Sequence, residues 1–328
     1  MNQSSLFSLF IECLVDVMDV SNYSVLGRIG EGAHGLVFKA RHLPTGREVA
    51  LKKILIKNLE DGIPVNVMRE IKALQLLRCK YVIKLYDMFP RGMSLVLVLE
   101  YMCSGLWDML HHNQSALTLP RIKTYAQMLL KGTRYMHAHY VMHRDLKPAN
   151  LLINHEGILK IADLGLARLF WPDGGRPYSH QVATRWYRAP ELLYGARFYC
   201  EKVDLWAVGC IIAEMITKKP LFAGESDIEQ LAIVLQNLGT PTEESWPGHG
   251  QLPDFHKITF PQSEPTPWPE LLPGVEYDAM DLIKSFLCYD ANKRISAKEA
   301  LRHQWFQARP LPASLTDMPK PKNSAKPK

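Results

Sequence analysis

Nowhere in its 328 residues does the chain carry an apolar run approaching the ~18 residues that span a bilayer, so no membrane insertion is expected and the protein should be soluble. Cysteine is sparse: Cys13, Cys79, Cys103, Cys200, Cys210 and Cys288 are scattered, with no C-x-x-C pair and no Cys/His spacing suited to zinc. This excludes a disulfide framework and fits a reducing compartment, where such thiols act as small hydrophobes. The apolar stretch Ser4 to Val17 lacks a basic n-region and is broken by Glu12 and Asp16, which argues against a secretory signal. A strong excess of one charge is missing too. Half of the formal +6 lies between Asp317 and Lys328, where four Lys face one Asp. No basic stripe with interleaved aromatics occurs, so no nucleic-acid partner is expected.

With 47% apolar residues, the chain can bury two cores. From Tyr23 to Tyr101 it reads as strands: Val25 to Ile29, Leu36 to Arg41, Glu48 to Ile56, Tyr81 to Phe89 and Leu95 to Tyr101 are short and rich in Val, Leu, Ile or aromatics. One helix interrupts them, from about Pro64 to Leu77, where Val67, Ile71, Leu74 and Leu77 recur at helical spacing. After Cys103 helices dominate: Pro120 to His139, Val203 to Thr217, Ile228 to Leu238 and Ala279 to Leu287. Strands followed by helices predict an α+β fold of two lobes, 23–102 and 103–306. Residues 1–22 read as an extension. The Pro/Lys-rich stretch 307–328 has no apolar period and reads as a disordered tail.

His143-Arg144-Asp145-Leu146-Lys147-Pro148-Ala149-Asn150 concentrates the chemistry. Phosphoryl transfer to a hydroxyl needs a carboxylate beside the attacking oxygen, a cation near the moving phosphoryl group and an oxygen ligand for magnesium. Asp145, Lys147 and Asn150 supply these. Gly30-Glu31-Gly32-Ala33-His34-Gly35-Leu36-Val37 is G-x-G-x-x-G-x-V, whose glycines let backbone amides approach phosphate oxygens. A dinucleotide-binding turn would need a helix at the third glycine, but Leu36-Val37-Phe38 reads as a strand. Period two puts Ala50, Lys52 and Ile54 on one face of the third strand, aiming Lys52 at nucleotide phosphates, with Glu70 on the lone helix as its ion-pair partner. Asp163-Leu164-Gly165 offers Asp163 as a hard-oxygen magnesium ligand. Ala189-Pro190-Glu191 closes the segment that follows, and Arg294 is the expected buried partner of Glu191. His137, His139, His111 and His112 lack Cys or carboxylate company at metal spacing and read as helix-end or surface histidines.

In this order the motifs resemble the eukaryotic protein kinase family, from about Tyr23 to Phe306. The resemblance implies the two-lobe kinase fold, ATP and Mg2+ as cofactors, and nucleotide contacts at Ile29 to Val37, Ala50, Lys52, Glu100 and Met102. It further implies Asp145 as proton acceptor, Lys147 at the γ-phosphate, and Asn150 and Asp163 as magnesium ligands. Lys147 within H-R-D-L-K-P-x-N is similar to the serine/threonine branch. Gly62 to Ile71, with Pro64, Arg69 and Glu70, looks like the cyclin-contacting helix of cyclin-dependent kinases, which implies a cyclin or other activating protein at Pro64 to Glu70. Val182 to Glu191 is similar to the docking end of the activation segment in cyclin-dependent and MAP kinases, where an arginine matching Arg188 turns a backbone carbonyl away. That implies Ser-Pro or Thr-Pro sites in protein substrates, recognised at Ala183 and Arg188.

Ala33 and His34 stand where many cyclin-dependent kinases carry an inhibitory Thr-Tyr pair. Ser179 stands at the expected activating phosphosite, and a phosphate there would meet Arg69, Arg144 and Arg168. Leu164, where Phe is usual, is expected to fill the same packing site. The resemblance implies a nuclear, cytoplasmic or ciliary setting and a role in the cell cycle or ciliary signalling. The rival reading is a pseudokinase binding platform, supported mainly by Leu164 and opposed by Lys52, Glu70, Asp145, Asn150 and Asp163.

Overall fold

The computed structural model describes residues 20–32, 35–56, 63–112, 117–171 and 175–320. The first lobe is an antiparallel five-stranded sheet in the order β1-β2-β3-β5-β4, built from β1 Tyr23–Gly32, β2 Gly35–His42, β3 Glu48–Leu55, β4 Leu85–Pro90 and β5 Ser94–Glu100. Period two in β3 sorts its side chains as expected. Ala50 and Ile54 join the main core with Val67, Ile71 and Leu74 of helix α1 (Val65–Leu76), whereas Val49 and Leu51 pack with Ala40, Phe89, Val96 and Val98 on the other face. Burying each large aliphatic side chain contributes about 1.5–3 kcal/mol, which seats a 12-residue helix that has no side-chain cap.

The β1–β2 hairpin closes with Gly32 opposite Gly35, and Gly35 has φ +151°. A Cβ there would stand 1.9 Å from the Lys53 carbonyl oxygen, so only glycine admits this approach of β2 to β3. Ala33 and His34 lie outside the described residues. The strand expected from Tyr81 begins instead at Leu85. Residues 81–83 pair elsewhere: Ile83 N–H donates to Ile161 O and Ile161 N–H to Tyr81 O, both at 2.9 Å, which ties the first lobe to the second.

The second lobe adds β6 (Ser104–Gly105), β7 (Val141–Met142), β8 (Leu151–Ile153), β9 (Leu159–Ile161) and β10 (Arg168–Leu169) in two small sheets, β6-β8-β9 and β10-β7. Its helices are α2 Leu106–His112, α3 Leu119–Ala138, α4 Pro190–Leu193, α5 Lys202–Thr217, α6 Asp227–Leu238, α7 Trp268–Leu271, α8 Tyr277–Phe286 and α9 Ala297–Ala300. Pro120 sits in the first turn of α3, where its missing N–H costs nothing. Every residue of α5 from Val203 to Met215 is buried, so it is the central post rather than an amphipathic surface helix.

The tail departs from expectation. Residues 307–320 are ordered along α3: Ala313 N–H donates to Pro120 O at 3.0 Å, Thr124 Oγ1 to Ala313 O at 2.8 Å, Arg121 Nε to Asp317 O at 2.9 Å and Lys123 Nζ to Ala308 O at 2.8 Å. Met318 is buried against Gly157. A strap anchored at separate points needs no apolar period, which is why composition read it as loose. Residues 321–328 and 1–19 lie outside the described residues, while Val20–Asn22 forms a 3-10 turn leading into β1.

Candidate active site

The residues expected to be catalytic come from both lobes, Lys52 and Glu70 from the first and Asp145, Lys147 and Asn150 from the second. Lys52 Nζ reaches both carboxylate oxygens of Glu70, at 2.6 and 2.9 Å, and both side chains are almost wholly buried. Removing either partner would strand a buried charge. Asp145 is held from four sides. Its Oδ1 accepts from Thr184 N–H (2.7 Å) and Thr184 Oγ1 (2.9 Å), and its Oδ2 meets Lys147 Nζ (2.9 Å) and Asn150 Nδ2 (3.1 Å). Lys147 Nζ also donates to Thr184 Oγ1 at 2.7 Å. Thr184 is therefore a member of the site that the sequence reading passed over, although it lies inside the quoted stretch Val182 to Glu191.

The loop bearing these groups is strained and braced. Arg144 has φ +68°, a left-handed conformation costing ~1–3 kcal/mol outside glycine. Asp204 of α5 compensates: its Oδ1 accepts from Arg144 N–H (2.7 Å), and its Oδ2 from His143 N–H (2.8 Å) and His137 Nε2 (2.9 Å). Burial alone would raise the Asp204 carboxyl, but the His137 hydrogen bond and the charges of His137 and His143, with the Arg144 amide, hold it below the usual carboxylate range. His137 lies in the last turn of α3, as expected of a helix-end histidine, but it is partly buried there as the side-chain partner of a buried carboxylate. Period-based reading of α3 cannot see a residue 67 positions away.

Asn150 Nδ2 donates to Asp145 O at 2.8 Å as well, which leaves Oδ1 as the amide atom available to a cation. Ala162 N–H donates to Asn150 O, so the next residue, Asp163, is brought to the same hairpin. Asp163 is exposed and left-handed, φ +59°. An amide oxygen and a carboxylate are the hard donors that magnesium takes. Leu164 is fully buried, and the 3-10 turn Leu164–Leu166 packs on α1.

Around this centre the activation segment is pinned. Glu191 and Arg294 form a two-pronged buried pair at 2.6 and 2.7 Å, as expected. Ala183 has φ +66° and its carbonyl accepts from Arg188 Nη2 at 3.0 Å. Ser179 is exposed; its carbonyl accepts from Tyr199 Oη at 2.5 Å, and Tyr199 Oη accepts from Arg144 Nη1 at 2.9 Å. Arg69 is depressed by burial and then by the charges of Arg168 and Arg144, so the three guanidiniums sit within reach of one another's fields. Of the expected nucleotide contacts, Gly30, Leu36 and Val37 lie on the β1–β2 hairpin and Ala50 on the inner face of β3. Glu100 ends β5 with its carboxylate on Lys160 Nζ at 2.6 Å, and Met102 follows it, partly buried against the main core.

Comparison with known proteins gives one picture. The family described as Protein kinase domain matches residues 23–306. Cyclin-dependent kinase 20 of Danio rerio is 56% identical over 308 residues, covering 94% of this chain and 90% of that protein. Cyclin-dependent kinase 20 of Homo sapiens is 54% identical over 303 residues, covering 92% and 88%. A chain in the solved structure of the CAK complex from Chaetomium thermophilum bound to ATP-γ-S superposes with a TM-score of 0.83 at 36% identity, covering 91% of this chain and 95% of that one.

Proposed function

The chain belongs to the protein kinase family, in its cyclin-dependent branch, and from that premise we propose that it moves the γ-phosphoryl group of ATP to a serine or threonine hydroxyl that is followed by proline. The observation that carries this reading is the closed network of Asp145, Lys147, Asn150 and Thr184, together with the buried pair of Lys52 and Glu70. Asp145 orients the substrate hydroxyl and accepts its proton as oxygen–phosphorus bonding begins. Lys147 places a positive charge beside the transferring group, and Lys52, locked by Glu70, grips the α- and β-phosphates. Asn150 Oδ1 and the Asp163 carboxylate would hold magnesium, which neutralises phosphate charge when bound.

The proline preference rests on Ala183. With its carbonyl held by Arg188, that oxygen is withdrawn from the backbone N–H of a residue after the target. Proline, having no N–H, loses nothing there. An activating protein, a cyclin in the relatives' branch, is assigned to α1, where Val65 and Leu76 remain exposed. Phosphorylated Ser179 would add a partner for Arg69, Arg144 and Arg168. What favours turnover over the platform reading is that Lys52 pairs with Glu70 and that Asp145, Lys147 and Asn150 share one network.

The test is phosphate incorporation from Mg-ATP into matched Ser-Pro and Ser-Ala peptides, with and without a cyclin partner. Turnover favouring Ser-Pro is expected, with Asp145→Asn lowering it by orders of magnitude while nucleotide binding persists. Retained turnover in that variant would sink the assignment of Asp145.

A further inference from the structure

Arg188 has a second partner, and it lies on a different element. Asp227 opens α6, next to the capping Ser226, whose Oγ accepts from Glu229 N–H at 3.1 Å. The two oxygens of its carboxylate are divided between two guanidiniums of the segment that receives the substrate. Oδ1 accepts from Arg185 Nε at 2.9 Å and Oδ2 from Arg188 Nη1 at 2.7 Å. The remaining terminal nitrogen of Arg188, Nη2, is the one that holds the Ala183 carbonyl. Asp227 therefore fixes one prong of a fork whose other prong turns a strained backbone oxygen aside.

The platform under Asp227 is tied down by hydrogen bonds. Fully buried Gln230 of α6 accepts from Gly224 N–H (2.8 Å) and donates to Phe222 O (3.2 Å). The loop so held accepts Trp186 Nε1 at Gly224 O (3.1 Å) and Arg185 Nη1 at Glu225 O (2.8 Å). A Cβ on Gly224 would stand 2.4 Å from Gln230 N, so loop and helix are in closest approach. Partial burial would raise the Asp227 carboxyl, yet the hydrogen bonds and charges of Arg185 and Arg188 outweigh this and keep it below the usual carboxylate range.

An arginine has several rotatable bonds, and ordering it costs entropy at the moment of use unless something has already ordered it. We infer that Asp227 is a positioning residue for substrate choice: it clamps Arg188 in the one arrangement that keeps the Ala183 carbonyl turned away, and so sharpens the preference for proline after the target hydroxyl. This inference rests on the proline-directed reading above. The charged partners of Asp227 are Arg185 and Arg188, which are not among the residues proposed to hold ATP. Its loss should therefore alter which peptide is taken, with the affinity for ATP unchanged.

The experiment compares kcat/KM for matched Ser-Pro and Ser-Ala peptides in the full chain with its activating partner, for the unaltered protein, Asp227→Ala, Asp227→Glu, Arg188→Ala and the double variant Arg188→Ala/Asp227→Ala. Asp227→Ala should lower the Pro:Ala ratio about fivefold, the size of a part-exposed ion pair, and Asp227→Glu should restore most of it. In the Arg188→Ala background, Asp227→Ala should change the ratio no further, because the route of action is already gone. A ratio unmoved by Asp227→Ala in a protein that does prefer Ser-Pro overturns the inference alone. So does an equal loss on both peptides, which would mark Asp227 as merely structural. Should the unaltered protein not distinguish the peptides, the proline-directed reading falls and this inference falls with it.

Discussion

Asp145 shows how much of the candidate active site depends on groups whose roles their own motif does not state. Its carboxylate is aimed by Thr184 and Lys147, and its loop is kept in a strained left-handed turn by Asp204, itself steadied by His137. Charge-assisted hydrogen bonds of this kind are worth about 1.5–3 kcal/mol, so Thr184→Ala should lower kcat ten- to a hundredfold with little change in KM for ATP. Thr184→Ser keeps the hydroxyl and should recover most of the rate. Steady-state kinetics of the two variants checks this, and equal rates for Ala and Thr at 184 would remove the hydroxyl from the mechanism. Lys52 with Glu70 and Glu191 with Arg294 were legible in the sequence because each pair has residue types and a motif position that demand a partner. The contacts of Thr184, Asp204 and His137 were not, although the first two lie in conspicuous stretches, because such contacts appear only when remote segments meet.

Elements were read well where one face is apolar and poorly where separate anchors replace a pattern. Helices α1, α3, α6 and α8 fall within a few residues of their expected bounds because burying a stripe at period 3.6 stabilises each of them, and α5 does so because it is a long apolar run buried all round. Residues 81–83 and 307–320 were misread for the same physical reason: their backbone groups are satisfied by another element, Ile161 for the former and α3 for the latter. The strap makes a testable claim. Ending the chain after Ala308 exposes the pocket of Met318 and strips partners from Thr124, Arg121 and Pro120, which should cost about 2–4 kcal/mol. A melting temperature several degrees lower is expected in a thermal scan. An unchanged melt would mean that the strap lies on α3 without stabilising it.

At the scale of the whole molecule, the second lobe buries, beside its paired charges, several phenols and thiols that burial keeps protonated. Burial raises the hydroxyls of Tyr125, Tyr187 and Tyr289, brings Tyr194 to about 12 and Cys200 to about 11, and raises the Cys210 thiol as well. A raised folded value means that the native state keeps protons which the unfolded chain releases. The stability these groups lend is therefore complete below the unfolded thiol and phenol values, roughly 8.5 and 10, and is lost as pH rises beyond them. Melting temperatures from pH 8 to 11 should fall progressively, most steeply above about 10. A flat profile would show that these side chains ionise freely in the folded protein.

Sequence alone determined the chemistry: the carboxylate, lysines, amide and glycines are side-chain types that phosphoryl transfer requires, and their order along the chain is covalent information. It also determined the two-lobe division, since strand and helix periods are local. Tertiary structure decided what those residues do together. It folds a strap onto α3, brings Asp204 beneath a strained loop, sets Thr184 against Asp145, and lays the first turn of α6 beside Arg185 and Arg188. Such contacts join residues tens to hundreds of positions apart, and no local period or motif encodes them; they form because buried polar groups must find partners wherever packing places them.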